Sequence, residues 1–170
     1  MVNRANIVAT DIKARNGVIH LIDGPLLEAS TVGERIDLVS KYSVLEQLLR
    51  DTGRRSLLDE TEGTLPNEAP FTVFVPTNAA FDAIDTSGLS TSEIGDILDY
   101  HLITDAAVLS SDISNGQRVE TREGSELFFG VGDGTVTINN DATVTAPDLR
   151  STQNGVAHEI DSVLMPPSGN

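Results

Sequence analysis

The spacing of hydrophobic residues changes along the chain, from a period typical of helices to one typical of strands. After Thr31 the apolar positions recur at steps of three and four, which predicts amphipathic helix. The residues that define this pattern are Ile36, Val39, Tyr42, Leu45, Leu48 and Leu49. Beyond Arg118 the apolar and β-branched residues alternate or run together, which predicts strands. Helices first and strands last indicate an α+β fold.

Local signals place the ends of several elements. Thr31 to Glu34 and Ser90 to Glu93 both have the Ser/Thr-x-x-Glu form of a capping box, so a helix is expected to follow each. Phe71 to Val75 reads as a strand that Pro76 ends, and a short helix is predicted over Asn78 to Ile84. The strands predicted in the second half are Arg118–Thr121, Glu126–Val131, Thr135–Asn139, Ala142–Ala146 and Val156–Leu164.

One segment of the sequence occurs twice. Asn16 to Asp23 reads NGVIHLID, and Asn154 to Asp161 reads NGVAHEID, 138 positions later. That distance is the length of a domain, not of a solenoid repeat. We therefore interpret residues 1–30 as a two-strand remnant of a preceding repeat, residues 31–167 as one complete domain and residues 168–170 as a frayed tail.

The leading copy of the repeat is more apolar than the second copy. Ile19 and Leu21 stand where the second copy has Ala157 and Glu159, so this strand is apolar on both faces, as a strand covered on both sides would be. An exposed strand of this kind favours aggregation. We expect residues 5–27 to cover either the body of the domain or a second molecule, which makes self-association through residues 1–30 an open alternative.

Charge narrows the range of partners. The net charge is −15, with 26 acidic and 11 basic residues, so nucleic acid and anionic lipid surfaces are disfavoured partners. The chain has no cysteine, which excludes disulfides and thiolate metal sites. It contains neither a segment resembling a signal peptide nor an apolar run long enough to cross a membrane. No cofactor-binding motif is present.

Three motifs in one order resemble the fasciclin (FAS1) domain family. Phe71 to Phe81 (FTVFVPTNAAF) resembles its first signature, Tyr100 to Ile103 (YHLI) its central motif, and Asn154 to Asp161 with the following Val163 and Leu164 its second signature. Asn16 to Leu27 resembles a further copy of that second signature. The resemblance implies a wedge-shaped β-sandwich with helices packed at one side.

The same resemblance implies a function. Family members are extracellular, periplasmic or surface-bound modules for adhesion or matrix interaction, usually not enzymes, so the expected partner is a protein or polysaccharide of the matrix or cell surface. Animal members carry an integrin-binding Glu-Pro-Asp-Ile-Met patch before the second signature, where this chain reads APDLR. The resemblance therefore points to Pro147, Asp148 and Leu149 as contact residues and to Tyr100 and His101 as a second pair. A purely structural role for that pair is the alternative.

Other chemistries have weaker support in the sequence. Strand periodicity places His158 with Val156 and Ile160 on an apolar face, which favours a buried histidine bonded to a carbonyl over a metal ligand. The serines near Ser110 lack the context of a nucleophile, which disfavours a hydrolase. Weak calcium association with the acidic surface is open, although no calcium-binding loop is present. A small-molecule or lipid site between sheet and helices is the alternative function, and a deep apolar pocket would be its sign.

Overall fold

The structure is a computed structural model that describes residues 7–22, 31–60, 70–151 and 154–167, with only the backbone described at 150 and 151. The outer ends of the leading segment, the polar loop over residues 62–69 and the tail at 168–170 lie outside the described residues. The domain boundaries predicted above therefore stay predictions.

The leading segment forms a β-hairpin that is a sheet of its own. Strands β1 (Ile7–Ala14) and β2 (Gly17–Ile22) pair antiparallel around a turn at residues 15 and 16. The Asn-Gly pair at this turn is the sequence signal for a tight connection. Apolar side chains of both faces are exposed in the chain, so the body of the domain does not cover them.

The first helical region is two helices and not one continuous helix. Helix α1 covers Val32–Asp37 and α2 covers Ser43–Asp51, with a 3-10 turn at Ser40–Tyr42 between them. The break falls at Val39, whose extended backbone (φ −124°, ψ 104°) stops the helical bonding. The apolar period survives the break because both pieces turn their apolar side chains towards the same core. A further 3-10 turn covers Leu57–Asp59.

The central elements begin where their caps predict. Strand β3 (Phe71–Pro76) is buried along its whole length, and the hydroxyl of Thr77 caps helix α3 (Asn78–Phe81), which ends before the predicted Ile84. Ser90 and Glu93 form both halves of a capping box at the start of α4 (Thr91–Tyr100). A short strand, β4 (Leu102–Ile103), follows directly and pairs with β3.

The remaining strands complete a seven-stranded sheet with the order β4-β3-β9-β8-β7-β6-β5. They are β5 (Arg118–Glu120), β6 (Glu126–Gly132), β7 (Thr135–Ile138), β8 (Ala142–Ser151) and β9 (Gly155–Ile160), and a 3-10 turn at Ser110–Asp112 precedes them. Only the β3–β9 pairing is parallel within this sheet. Strand β8 runs five residues beyond the predicted end at Ala146 because bulges carry it past the Pro147 bend.

Strand β9 is the centre of the domain because it is buried on both faces. Ala157 packs into the cluster that contains the α1 and α2 side chains, while Ile160 belongs to a second cluster with Phe74 and Phe129. At its start, Gly155 allows close approach of β3, since a Cβ there would lie 2.2 Å from the main-chain oxygen of Phe71. The expected α+β fold is confirmed.

Candidate functional site

The candidate contact site is a bend in β8. Between the pairs Ala146–Glu159 and Leu149–Ala157, strand β8 advances three residues while β9 advances two, which is a β-bulge. Asp148 adopts a positive φ of 54° at this point. Bulges bend a strand and change the direction of its side chains. The result is a corner at which Pro147 is exposed.

The corner is held by bonds from two other segments. The Asp148 carboxylate accepts hydrogen bonds from the Ser110 main-chain N–H (2.9 Å) and from the Ser110 hydroxyl (2.6 Å). The Asp148 main-chain N–H donates to Nδ1 of His158 (3.3 Å), and Nε2 of that ring donates to the Val108 carbonyl (2.9 Å). These bonds hold the corner against the 3-10 turn at Ser110. The corner is therefore already ordered in the unbound domain.

His158 acts here as a neutral structural group. Its ring is buried and stacks on Phe74 with centroids 5.6 Å apart. Burial lowers the pKa of His158, while the bond to the Val108 carbonyl and the Asp148 charge oppose that shift. An N–H donor at one nitrogen and a carbonyl at the other fix the tautomer with hydrogen on Nε2. The predicted buried histidine bonded to a carbonyl is confirmed at this position.

The neighbourhood of Ser110, Asp148 and His158 contains the residue types of a hydrolytic triad but not its geometry. In a triad, histidine accepts the proton of the serine hydroxyl and the acid orients the histidine. Here the Ser110 hydroxyl donates to the Asp148 carboxylate, and both His158 nitrogens are engaged with main-chain groups. The ring therefore has no nitrogen available to take a proton from Ser110.

Tyr100 and His101, the second pair of expected contact residues, are interior. Each is 2% exposed, so the folded domain offers a partner no direct contact with either side chain. The Tyr100 hydroxyl donates to the Glu126 carbonyl (3.1 Å) and accepts from Asn139 (2.9 Å). The structure corrects the expectation of direct contact here, because the side chains that resemble the family motif serve packing and internal bonding.

His101 joins the end of α4 to the segment after β9. Its Nδ1–H donates to the Ile97 carbonyl (2.7 Å), and its Nε2 accepts from the Leu164 main-chain N–H (2.9 Å). Burial lowers the pKa of His101 to about 4, although the bond to Ile97 opposes the shift. The ring is therefore neutral at physiological pH.

The remaining expected contact residue is half-buried. Leu149 packs against the core cluster on the helical side, which leaves the Pro147 ring and the exposed Ser111 and Asp112 as the outward surface of the corner. The role of Ser110 was not evident from the sequence. It lies 38 positions from Asp148, and no local pattern links a serine to an acid over that distance.

Among the described residues, the cavity that lies between sheet and helices near α2 and α4 is too small for a ligand of ordinary size. It has a volume of about 20 Å³ and is lined mainly by leucines such as Leu45, Leu49 and Leu98. One water molecule needs at least about 10–15 Å³ by this kind of measure, whereas drug-sized ligands occupy about 300–1,000 Å³. The small-molecule alternative is therefore not favoured by the shape of the interior.

Two buried carboxylates are satisfied inside the domain. Asp99 receives a bidentate bond from Arg54 (2.9 and 2.8 Å) and a further bond from Arg122 (2.9 Å). Glu159 is bound by the Tyr42 hydroxyl and the Lys41 ammonium. Burial raises the pKa of Glu159, but the bonds to Lys41 and Tyr42 outweigh it and leave the pKa below its usual value. These charges join helices to the sheet and are not displayed to a partner.

The described residues contain neither a metal-binding cluster nor a membrane-spanning helix. Across the parts of the chain that the structure describes, no three His, Cys, Asp or Glu residues gather closely enough to hold a metal ion. Within the same residues, no helix is long and apolar enough to span a membrane.

Comparisons with known proteins identify the family. The sequence pattern of the fasciclin domain matches residues 40–166, and the chain belongs to the fasciclin domain family. It is 30% identical to rabbit (Oryctolagus cuniculus) transforming growth factor-beta-induced protein ig-h3 over 98% of this chain and 24% of that protein. It is also 30% identical to human periostin, over 98% of this chain and 20% of that protein. The chain thus spans a quarter or less of these relatives.

A solved structure agrees in fold. The chain is similar to a FAS1 domain pair from the insect cell adhesion molecule fasciclin I, with a TM-score of 0.71 and 21% identity. The similarity covers 95% of this chain and 60% of that one. At this identity the comparison establishes the fold, which is the fold that the three sequence motifs predict.

Proposed function

We propose that this chain is a non-catalytic adhesion or matrix-interaction module of a secreted or cell-surface protein. Membership of the fasciclin domain family, in which a cell adhesion molecule is found, supports this role. A location outside the cytoplasm, in the extracellular space, the periplasm or at the cell surface, is part of the same proposal. The partner is a protein or polysaccharide of the matrix or cell surface.

The observation that carries the proposal is the fixed corner at Pro147. It is exposed, and its backbone is held because Asp148 accepts hydrogen bonds from Ser110 and donates one from its main-chain N–H to His158. Binding costs less when the contact surface is already ordered, because less conformational entropy is lost. A proline adds apolar contact area without adding rotamer freedom. The corner thus suits recognition by shape more than by a free charge, since the Asp148 carboxylate is engaged within the domain.

The net charge of −15 shapes the expected partner. An acidic module associates faster with a basic surface than with a neutral or acidic one, and this steering weakens as salt rises. We therefore expect retention on basic or neutral matrix components and little on acidic polysaccharides. One contact of this kind is weak, and repetition of the module on one particle or cell converts it into firm adhesion.

The test is a flow assay with beads that carry the full chain. The beads pass over surfaces coated with fibrillar collagen, a neutral polysaccharide or hyaluronan, with albumin-coated beads as the baseline. We expect retention above baseline on collagen or on the neutral polysaccharide. The substitution Pro147→Arg abolishes it, and the control Pro167→Arg, at an exposed proline away from the corner, retains it. Baseline retention on every surface, or equal retention by both variants, would refute the proposal.

A further inference from the structure

The leading hairpin repeats the geometry of the closing hairpin β8–β9, and not only its sequence. The two hairpins share their register, including register shifts at the same two places. The matching pairs are Ile7–Ile22 with Val144–Ile160, Ala9–Leu21 with Ala146–Glu159, Ile12–Ile19 with Leu149–Ala157, and Ala14–Gly17 with Ser151–Gly155. Agreement at these irregular positions indicates that both hairpins have the conformation of the last two strands of the same fold.

The bend of the closing hairpin is also present in the leading one. Asp11 has a φ of 58° where Asp148 has 54°. The Asp11 main-chain N–H donates to Nδ1 of His20 at 3.3 Å, as that of Asp148 does to His158 at 3.3 Å. The leading hairpin therefore has the shape of a closing hairpin without the domain body that normally surrounds it.

The surroundings of the two hairpins differ sharply. In β9, Val156, Ala157 and Glu159 are 5%, 4% and 8% exposed. The equivalent Val18, Ile19 and Leu21 of β2 are 55%, 54% and 55% exposed. In the described residues β2 pairs with β1 alone, whereas β9 also pairs with the parallel strand β3. The intact copy shows what covers such a strand: a parallel neighbour at its edge, helices on one face and the second core cluster on the other.

We propose that the β1–β2 hairpin docks onto the body of another fasciclin unit and completes it as its last two strands. The edge Gly17–Ile22 receives a parallel strand equivalent to β3, and Ile19 and Leu21 insert against that unit's helices. This docking is separate from the partner contact at Pro147 and does not rest on it. Residues 1–30 then belong to a neighbouring unit in a tandem arrangement.

The residue differences between the two hairpins restrict which fasciclin unit can receive the leading hairpin. Leu21 replaces Glu159, so inserting it into a copy of this chain would leave the Lys41 ammonium and the Tyr42 hydroxyl without their carboxylate. Replacing this charged acceptor by an apolar side chain loses both bonds and is unfavourable. Ile19 replaces Ala157 and would overpack the same core. The occupant is therefore a fasciclin unit with apolar residues facing Leu21 and small ones facing Ile19, and not a second copy of this chain.

The extent of similarity to known proteins supports this docking. The matches to ig-h3 and periostin cover 98% of the chain, and the match to the FAS1 domain pair covers 95%. Residues 31–167 alone make up about four fifths of the chain. The similarity thus extends into the leading hairpin.

The experiment adds a second copy of the domain without its last two strands to the chain. Residues 31–143 of this chain are placed ahead of Ile7, so that the hairpin follows them as β8–β9 follows them in the intact domain. One version has the added segment unaltered. A second, the apolar version, carries Lys41→Leu and Tyr42→Phe in that segment to face Leu21, together with Ile19→Ala in the hairpin to remove the overpacking. Amide hydrogen exchange is measured over residues 17–22 in both versions and in the original chain, and residues 155–160 report whether the downstream domain is folded.

The expected result is that exchange over residues 17–22 slows at least ~10-fold in the apolar version relative to the original chain, because strand pairing protects amides. Gly17→Ala abolishes this protection, since a Cβ at the equivalent Gly155 lies 2.2 Å from the Phe71 oxygen. In the original chain the same substitution changes nothing, because no atom lies within 4 Å of that Cβ.

Three results would overturn the docking. The first is equal exchange over residues 17–22 in the original chain and in the apolar version, including the case in which the added segment stays unfolded. The second is protection that survives Gly17→Ala. The third is dimerisation of the original chain in sedimentation velocity that Ile19→Lys abolishes, which would make a second copy the occupant.

Discussion

The buried neutral histidine at position 101 makes the stability of this domain depend on pH in a defined direction. His101 is 2% exposed, donates through Nδ1 to Ile97 and accepts through Nε2 from Leu164. A proton on Nε2 would break the second bond and bury a charge. The pKa of His101 in the folded domain is about 4, and in the unfolded chain it is about 6.5.

The size of this pH effect on the free energy of unfolding follows from the difference between the folded and unfolded pKa values of His101. Because the folded pKa is depressed, the stabilisation is complete above pH 6.5 and is lost as the pH falls through the folded value. The full effect is about 3 kcal/mol, and about 2 kcal/mol of it is lost between pH 7.5 and pH 5. The pKa of His158 is also lowered by burial, so this second ring adds to the loss in the same direction.

The assay is urea unfolding at pH 7.5 and pH 5, followed by circular dichroism. These conditions lie above the range in which most carboxylates of the unfolded chain titrate, near about pH 4. His101→Gln keeps one donor and one acceptor but has no titrating ring, so its loss of stability between the two pH values is expected to be smaller by about 2 kcal/mol. His20→Gln, at an exposed ring, is the control for loss of an imidazole at pH 7.5.

An equal loss of stability in the original chain and in His101→Gln would show that the buried His101 ring does not cause the pH dependence. If the variant does not fold, an NMR titration of the original chain decides the question. The His101 ring is expected to stay neutral in the folded domain at pH 5, and a protonated ring there would contradict the account.

Three further predictions concern single positions in the body of the domain. Gly155→Ala is expected to destabilise by about 3 kcal/mol or more, since its Cβ meets the β3 main chain, while Gly17→Ala is nearly neutral in the same urea assay. Asp99→Ala should cost about 3–5 kcal/mol, because Arg54 and Arg122 are partly buried and lose the carboxylate that they bind. This cost is expected to be the same at 0.1 M and 1 M salt, and a cost that disappears at 1 M salt would contradict a buried pairing. Asn154→Ala should cost about 2 kcal/mol or more, as its side chain bonds one main-chain N–H and two carbonyls, and a change below about 0.5 kcal/mol in thermal unfolding would contradict that role.

The sequence predicted those parts of the fold that depend on local signals. The box at Ser90 placed the start of α4, and Pro76 marked the end of β3. The period of two placed His158 on the apolar face of β9. Each of these rests on residues within a few positions of one another.

The parts that the sequence did not predict depend on distant contacts. Pro147 reads locally as the end of a strand, yet β8 continues because β9 pairs with it on both sides of the bulge. The break at Val39 leaves the helical period intact, so the period cannot reveal it. The bond between Ser110 and Asp148 joins a 3-10 turn to the bulge in β8, two segments that no sequence pattern connects. The burial of Tyr100 follows from its packing in the second core cluster with side chains of several strands, and a motif that resembles a family signature does not distinguish packing from binding.

The most direct test of the proposed function is to map the bound surface of the chain. Amide hydrogen exchange is compared for the full chain in solution and on the matrix surface that retains it. New protection is expected at the corner, over residues 146–149 and the adjoining turn at 110–112, with the amides of β9 unchanged. Protection confined to any other face of the domain, with the corner exchanging as it does in solution, would contradict it.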